Sequence, residues 1–130
     1  MDMGTWLFVI GAAAVGPVLV RILTARSAIG SPELAAVLFA AFAAFSAFTI
    51  AQEGVMTVVV NHTMNFWGTQ VWYDLLIAVS LALFFIVPRS RSAGMNPLPW
   101  VLFVAATASI GLLAMVARLW WLERRAQAAA

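Results

Sequence analysis

Cysteine and lysine are both absent from the chain, and acids are scarce: Asp2, Glu33, Glu53, Asp74 and Glu123 are the only five. Without cysteine there is no disulfide, no thiol nucleophile and no thiolate-held metal. The single histidine, His62, cannot supply the two imidazoles of a bis-histidine haem. With Glu53 and Asp74 it matches no metal-ligand spacing. No glycine-rich phosphate loop is present, and Ser31, Ser46 and Ser80 have no evident base beside them. No cofactor and no metal are expected. Seven arginines carry all the basic charge, and they are spread over three places. The sequence pI near 10.5 reflects a net charge of only +2. That is no nucleic-acid footprint.

What is abundant is apolar. Hydrophobic residues make up 65% of the chain and charged residues 9%, against about 25% charged in a soluble domain. Such a chain cannot cover a water-facing surface, so composition alone places it in a membrane. Four apolar stretches reach the ~20 residues that a spanning helix requires. They predict an all-α, four-helix transmembrane bundle forming a single domain over residues 1–130. The helices are expected at about 5–23, 32–51, 66–87 and 97–122. Met1 to Trp6 lack the positive n-region of a secretory signal, so the first stretch is expected to be retained.

Local signals sharpen parts of this outline. Ser31-Pro32-Glu33 reads as a helix start: a serine cap, a proline at the first position and an acid in the first turn. Ala36, Ala40, Ala44 and Ala47 recur at spacings of four and three, which suits close approach of another helix. Phe39, Phe42, Phe45 and Phe48 form a bulky stripe for packing and lipid contact. Gln52 to Asn65 is too polar to span and too apolar for an ordinary loop; it is expected to be a structured connection. Pro88 to Gly94 reads as a short basic turn.

With four antiparallel spans, Glu53, His62, Asp74 and Arg118 gather near one membrane face. Asn61, Asn65, Gln70 and Tyr73 add hydrogen-bonding groups there. Trp6, Trp67, Trp72, Trp120 and Trp121 fall on the same side, leaving only Trp100 opposite. Charge inside lipid is costly and needs a partner or a purpose. One reading is structural: Asp74 pairs with Arg118, and the polar groups satisfy irregular backbone. Another is a polar-aromatic pocket in which Glu53 or Asp74 exchanges protons with help from His62. Asn61, Asn65, Trp67, Gln70, Trp72, Tyr73 and Arg118 would line it. A proton path is a third.

Four arginines (Arg21, Arg26, Arg89, Arg91) then lie on one side and three (Arg118, Arg124, Arg125) on the other. The positive-inside rule leans toward both termini outside the cytoplasm. Basic charge carried only by arginine, with many alanines, suggests a bacterial inner (cytoplasmic) membrane.

Asp74-Leu75-Leu76-Ile77 opening a helix, Arg91-Ser92-Ala93-Gly94-Met95 in the next turn, Trp100 and Gly111 together resemble a family of small bacterial integral membrane proteins. That family is catalogued as domain of unknown function 2834. The likeness covers roughly residues 61 to 122. It implies a compact helical membrane protein with no assigned activity, and it puts weight on Asp74. The chain departs from the pattern by ending in Arg118-Leu119-Trp120-Trp121-Leu122-Glu123-Arg124-Arg125 without a proline. A partner for Asp74 is therefore not carried over. A looser similarity of parts links the chain to small membrane proteins that bind sterols or cyclise isoprenoids.

The expected function is a non-catalytic accessory subunit, or a binder of a lipid-like or isoprenoid-like apolar small molecule. The alternative is an integral membrane enzyme of isomerase or cyclase type, with Glu53 and Asp74 as acid and base. A small transporter is the weaker alternative. Membrane lipids, a second copy of the chain or a larger membrane complex are the expected partners; nucleic acid is not.

Overall fold

A computed structural model describes all 130 residues. They form six α-helices and no strand: α1 (Met3–Thr24), α2 (Pro32–Glu53), α3 (Thr57–Thr63), α4 (Phe66–Ser92), α5 (Pro97–Thr107) and α6 (Ser109–Ala129). Three of these, α1, α2 and α4, are long and apolar enough to cross a membrane. The protein is an integral membrane protein with three helices of spanning length; the fourth predicted span does not form. The chain divides into two units, Met1–Gly30 and Ser31–Ala130.

The first unit is α1 and its following link. Asp2 starts the helix, accepting hydrogen bonds from the Thr5 amide (2.7 Å) and the Thr5 hydroxyl (2.8 Å). This cap moves the start ahead of Thr5, where hydropathy alone puts it. Pro17 lies inside the helix.

The second unit opens as its sequence predicts. Ser31 accepts the Leu34 amide at 3.1 Å and Pro32 takes the first helical position. Gly54 ends α2 at φ 80°, a conformation that favours glycine. α2 lies along α6. Its covered face is Pro32, Ala35, Phe39, Ala43, Ser46 and Thr49, spaced by threes and fours. The expected close-approach stripe is one register away: Ala36, Ala40, Ala44 and Ala47 are exposed. Of the phenylalanine stripe only Phe39 is partly covered, its ring 6.5 Å from that of Phe103.

The connection from Gln52 to Asn65 contains a real helix, α3, packed on the start of α4. Gly68 permits this packing. A Cβ there would collide with the Asn61 carbonyl oxygen, so only glycine fits. The Thr69 hydroxyl donates to the His62 carbonyl at 3.0 Å and ties the two helices further.

α4 runs to Ser92, past Pro88, where the sequence predicts a stop. Its end is a Schellman closure. Gly94 sits at φ 84°, its amide reaches the Arg91 carbonyl at 3.0 Å, and the Met95 amide reaches the Ser90 carbonyl at 2.9 Å. Met95 and Ser90 are buried there. A proline in the last turns costs one backbone hydrogen bond, and the packed closure offsets it.

The largest departure is at Ala108. The predicted helix over 97–122 breaks there into α5 and α6, which fold back on each other. Ala108 has φ 53° and ψ −115°, the conformation glycine takes at the first central position of a type II′ turn. The Thr107 hydroxyl bridges the corner, donating to the Phe103 carbonyl at 2.7 Å and accepting the Gly111 amide at 2.8 Å. A Cβ on Gly111 would stand 2.7–2.8 Å from the backbone of Val104 and Phe103. Backbone therefore meets backbone across the corner. Val104, Met115, Leu119 and Met95 form the core, with Val79, Leu83, Ile86, Trp100 and Leu122 packed around them.

This hairpin returns the chain to the end from which α5 started. The close of α6 therefore shares an end with the α4–α5 turn and the start of α2. Four spans would have put α6's close at the opposite end.

Candidate functional site

Two ends of the Ser31–Ala130 unit carry polar groups, and they differ in chemistry. At one end two ion pairs fasten α6. Arg89 donates through Nε to Glu123 Oε1 at 2.5 Å and through Nη2 to Oε2 at 2.6 Å. Arg124 forks onto Glu33, one of its bonds being Nη1 to Oε2 at 3.2 Å. Neither pair is visible in the sequence. Only the hairpin brings residues 123 and 124 beside residues 89 and 33.

At the other end lie most of the residues singled out from sequence, and they fall into groups. His62, Asn65 and Trp72 hold structure. His62 Nδ1 is 2.6 Å from the Val58 carbonyl, and its ring is 5.3 Å from that of Trp72. Asn65 caps α4, accepting the Gly68 amide at 2.7 Å. Asn61 supplies the carbonyl against which Gly68 packs. Glu53 is the exposed last residue of α2, and its carboxylate has no partner.

Trp67, Gln70, Tyr73 and Asp74 form the second group. With Val71 and Ile77 they line a shallow, open groove on α4. The packed face of α4 runs through Gly68, Leu75, Val79, Ala82 and Ile86, with Trp72 exposed at its edge. Trp67, Gln70, Val71, Asp74, Ile77 and Leu81 are on the outward side, and all six are exposed. Asp74 thus points away from its own bundle, about 12 Å along a helix of spanning length by helical rise. Its carboxylate makes no ion pair and no hydrogen bond.

Arg118 is not its partner. The two ion pairs are Arg89–Glu123 and Arg124–Glu33. Counted back from Arg89 and Glu123 at ~1.5 Å per residue, Asp74 lies about 22 Å and Arg118 about 8 Å down their helices. Arg118 instead stacks on Trp121, its guanidinium carbon 4.7 Å from the ring centroid. The tryptophans divide accordingly. Within this unit Trp67 and Trp72 mark one end, and Trp100, Trp120 and Trp121 the other. The expected gathering of Trp120, Trp121 and Arg118 around Asp74 does not occur, because α6 runs in the opposite direction from a fourth span.

Comparison with family models, curated proteins and solved structures gives no match. The arrangement of the side chains alone carries the functional reading. Glu53, His62 and Asp74 do not converge, since no three His, Asp or Glu side chains come together anywhere in the protein. His62 is committed through Nδ1 to its own helix. At this end of the unit, the outward α4 groove is the surface that carries exposed polar groups without a partner.

Proposed function

We propose that this protein is a non-catalytic accessory subunit of a membrane assembly, and that the outward face of α4 at Asp74 docks a transmembrane helix of a different polypeptide. The observation that carries this reading is the exposed, unpartnered Asp74 carboxylate on a helix of spanning length. Acids within membrane helices nearly always face a partner or a water-filled cavity, because an uncompensated charge in hydrocarbon costs several kcal/mol. Here the bundle supplies neither. A parallel second copy supplies no cation at that depth either: the arginines of this unit all lie toward the opposite end. The partner therefore brings the cation, an Arg or a Lys. Gln70 and Tyr73 add polar contacts, and Trp67, Val71 and Ile77 add apolar area. The open groove is too shallow to enclose an isoprenoid. The acid–base alternative has no assembled pair of groups to support it.

The proposed setting is a bacterial cytoplasmic membrane. Arg89, Arg91, Arg124 and Arg125 share one end of the unit, and the Gln52–Asn65 end has no basic residue except His62. The positive-inside rule then favours the arginine end, with the close of α6, in the cytoplasm.

The test is a photo-crosslinker at Ile77 in the full-length protein in its native membrane. The expected product joins Ile77 to a transmembrane peptide of another protein that carries an Arg or a Lys, and Asp74→Leu abolishes it. Crosslinks only to lipid or only to a second copy overturn the reading.

A further inference from the structure

The arginine end holds more positive charge than its acids neutralise. Glu123 is taken by Arg89 and Glu33 by Arg124. Arg91, Arg118 and Arg125 have no acid. Two of these three converge on one indole: the guanidinium carbons of Arg118 and Arg125 lie 4.7 and 4.6 Å from the Trp121 ring centroid. Positions 118, 121 and 125 are spaced by three and four, so they share one face of α6. Each guanidinium carbon lies over the ring, and the N–H edges of both side chains make no hydrogen bond. Those edges are the donors that bind phosphate oxygens in pairs.

The location specifies where that phosphate comes from. Trp120 and Trp121 sit where α6 turns from apolar core to the charged Glu123-Arg124-Arg125 segment, the position tryptophan takes at a membrane–water boundary. The phosphodiesters of a bilayer lie at that level. A zwitterionic headgroup would bring its own cation against the arginines, whereas an anionic one brings net negative charge alone.

We propose that Arg118, Trp121 and Arg125 form a binding site for the phosphate of an anionic membrane lipid. The Asp74 groove plays no part in it. The site is a face of α6, and Arg91 adds to the field at the same end without touching the indole.

The experiment is native mass spectrometry of the full-length protein released from nanodiscs containing equal amounts of phosphatidylglycerol and phosphatidylcholine. The wild type is expected to retain phosphatidylglycerol selectively. At about fivefold per basic side chain near a membrane surface, Arg118→Gln/Arg125→Gln is expected to lose it roughly 25-fold, with an unchanged melting temperature because neither residue is ion-paired. Trp121→Leu is expected to weaken retention while keeping the charge. Arg21→Gln/Arg26→Gln, which removes the same two charges from the Met1–Gly30 unit, is expected to leave retention intact. Equal retention of both lipids, or equal loss in Arg21→Gln/Arg26→Gln, overturns the site. Displacement of the lipid by inorganic phosphate would show a site for the free ion, and would overturn the lipid assignment.

Discussion

Arg89 and Glu123, thirty-four residues apart, are joined by two parallel hydrogen bonds of 2.5 and 2.6 Å. The pair fastens the end of α4 to α6, and it exists only because the chain reverses at Ala108. The Glu123 side chain is 16% exposed and the Arg89 side chain 34%, so water screens the pair only in part. Glu123→Gln is expected to destabilise the protein by about 2 kcal/mol, the range for hydrogen bonds to charged groups. Adding Arg89→Gln should cost less than the sum of the two single changes. Thermal unfolding in detergent across the four variants checks this; strict additivity would sink the pairing.

Asp74 and Arg118 are expected to behave independently. Asp74→Asn and Arg118→Gln should combine additively in the same unfolding assay, since the two residues lie at different depths. A coupling above about 0.5 kcal/mol would contradict the geometry.

At Ala108 the backbone takes φ 53°, where a side chain is strained. Ala108→Gly is expected to raise stability by about 1 kcal/mol. Ala108→Val should lower it, because β-branching makes that conformation worse. The opposite ranking would mean that the corner at residue 108 does not form.

Gly111→Ala is expected to open the hairpin, because its Cβ would press on the backbone of Phe103 and Val104, which has no room to give. The loss should be about 1–3 kcal/mol, as in overpacked cores. A single cysteine at Gln127 reports the same event, and the native chain has no thiol to interfere. With the hairpin closed, its labelling from either side of a sealed vesicle should match that of a cysteine at Ser92. Labelling from the opposite side would restore the four-span arrangement.

Asp2 gives a pH dependence. The Thr5 amide, and then the Thr5 hydroxyl, hold its carboxyl below the ordinary aspartate value. A lowered folded-state value means the cap is fully present above the unfolded value of about 3.9 and is lost as pH falls through the folded one. Protection factors of the amides in the first turn of α1 should therefore stay constant down to the ordinary aspartate range and fall below it. In Asp2→Asn the acid-dependent step should vanish.

Much of the local structure was legible in sequence. Ser31-Pro32 predicted the start of α2, because a serine oxygen and a proline ring act on the adjacent turn alone. The apolar runs predicted helices, because an unsatisfied amide in lipid forces that choice on any such segment. Gln52 to Asn65 stood out as a structured connection, although the helix inside it did not. The candidate site was legible in part. Trp67, Gln70, Tyr73 and Asp74 share one groove, whereas His62, Asn65 and Trp72 pack α3 on α4, and Arg118 lies elsewhere.

The sequence by itself determined a helical membrane protein with its scarce charges in fixed order along the chain, but its four apolar runs read as four spans where the structure has three helices of spanning length. Tertiary structure decided which charges meet. An apolar run of 26 residues satisfies its own hydrogen bonds equally well crossing a bilayer or folding back at a corner. Choosing between them depends on contacts far apart in sequence: Gly111 against Phe103, Met115 among Met95 and Val104, Glu123 on Arg89. Once the fold-back is made, the arginines gather at one end and Asp74 is left facing outward.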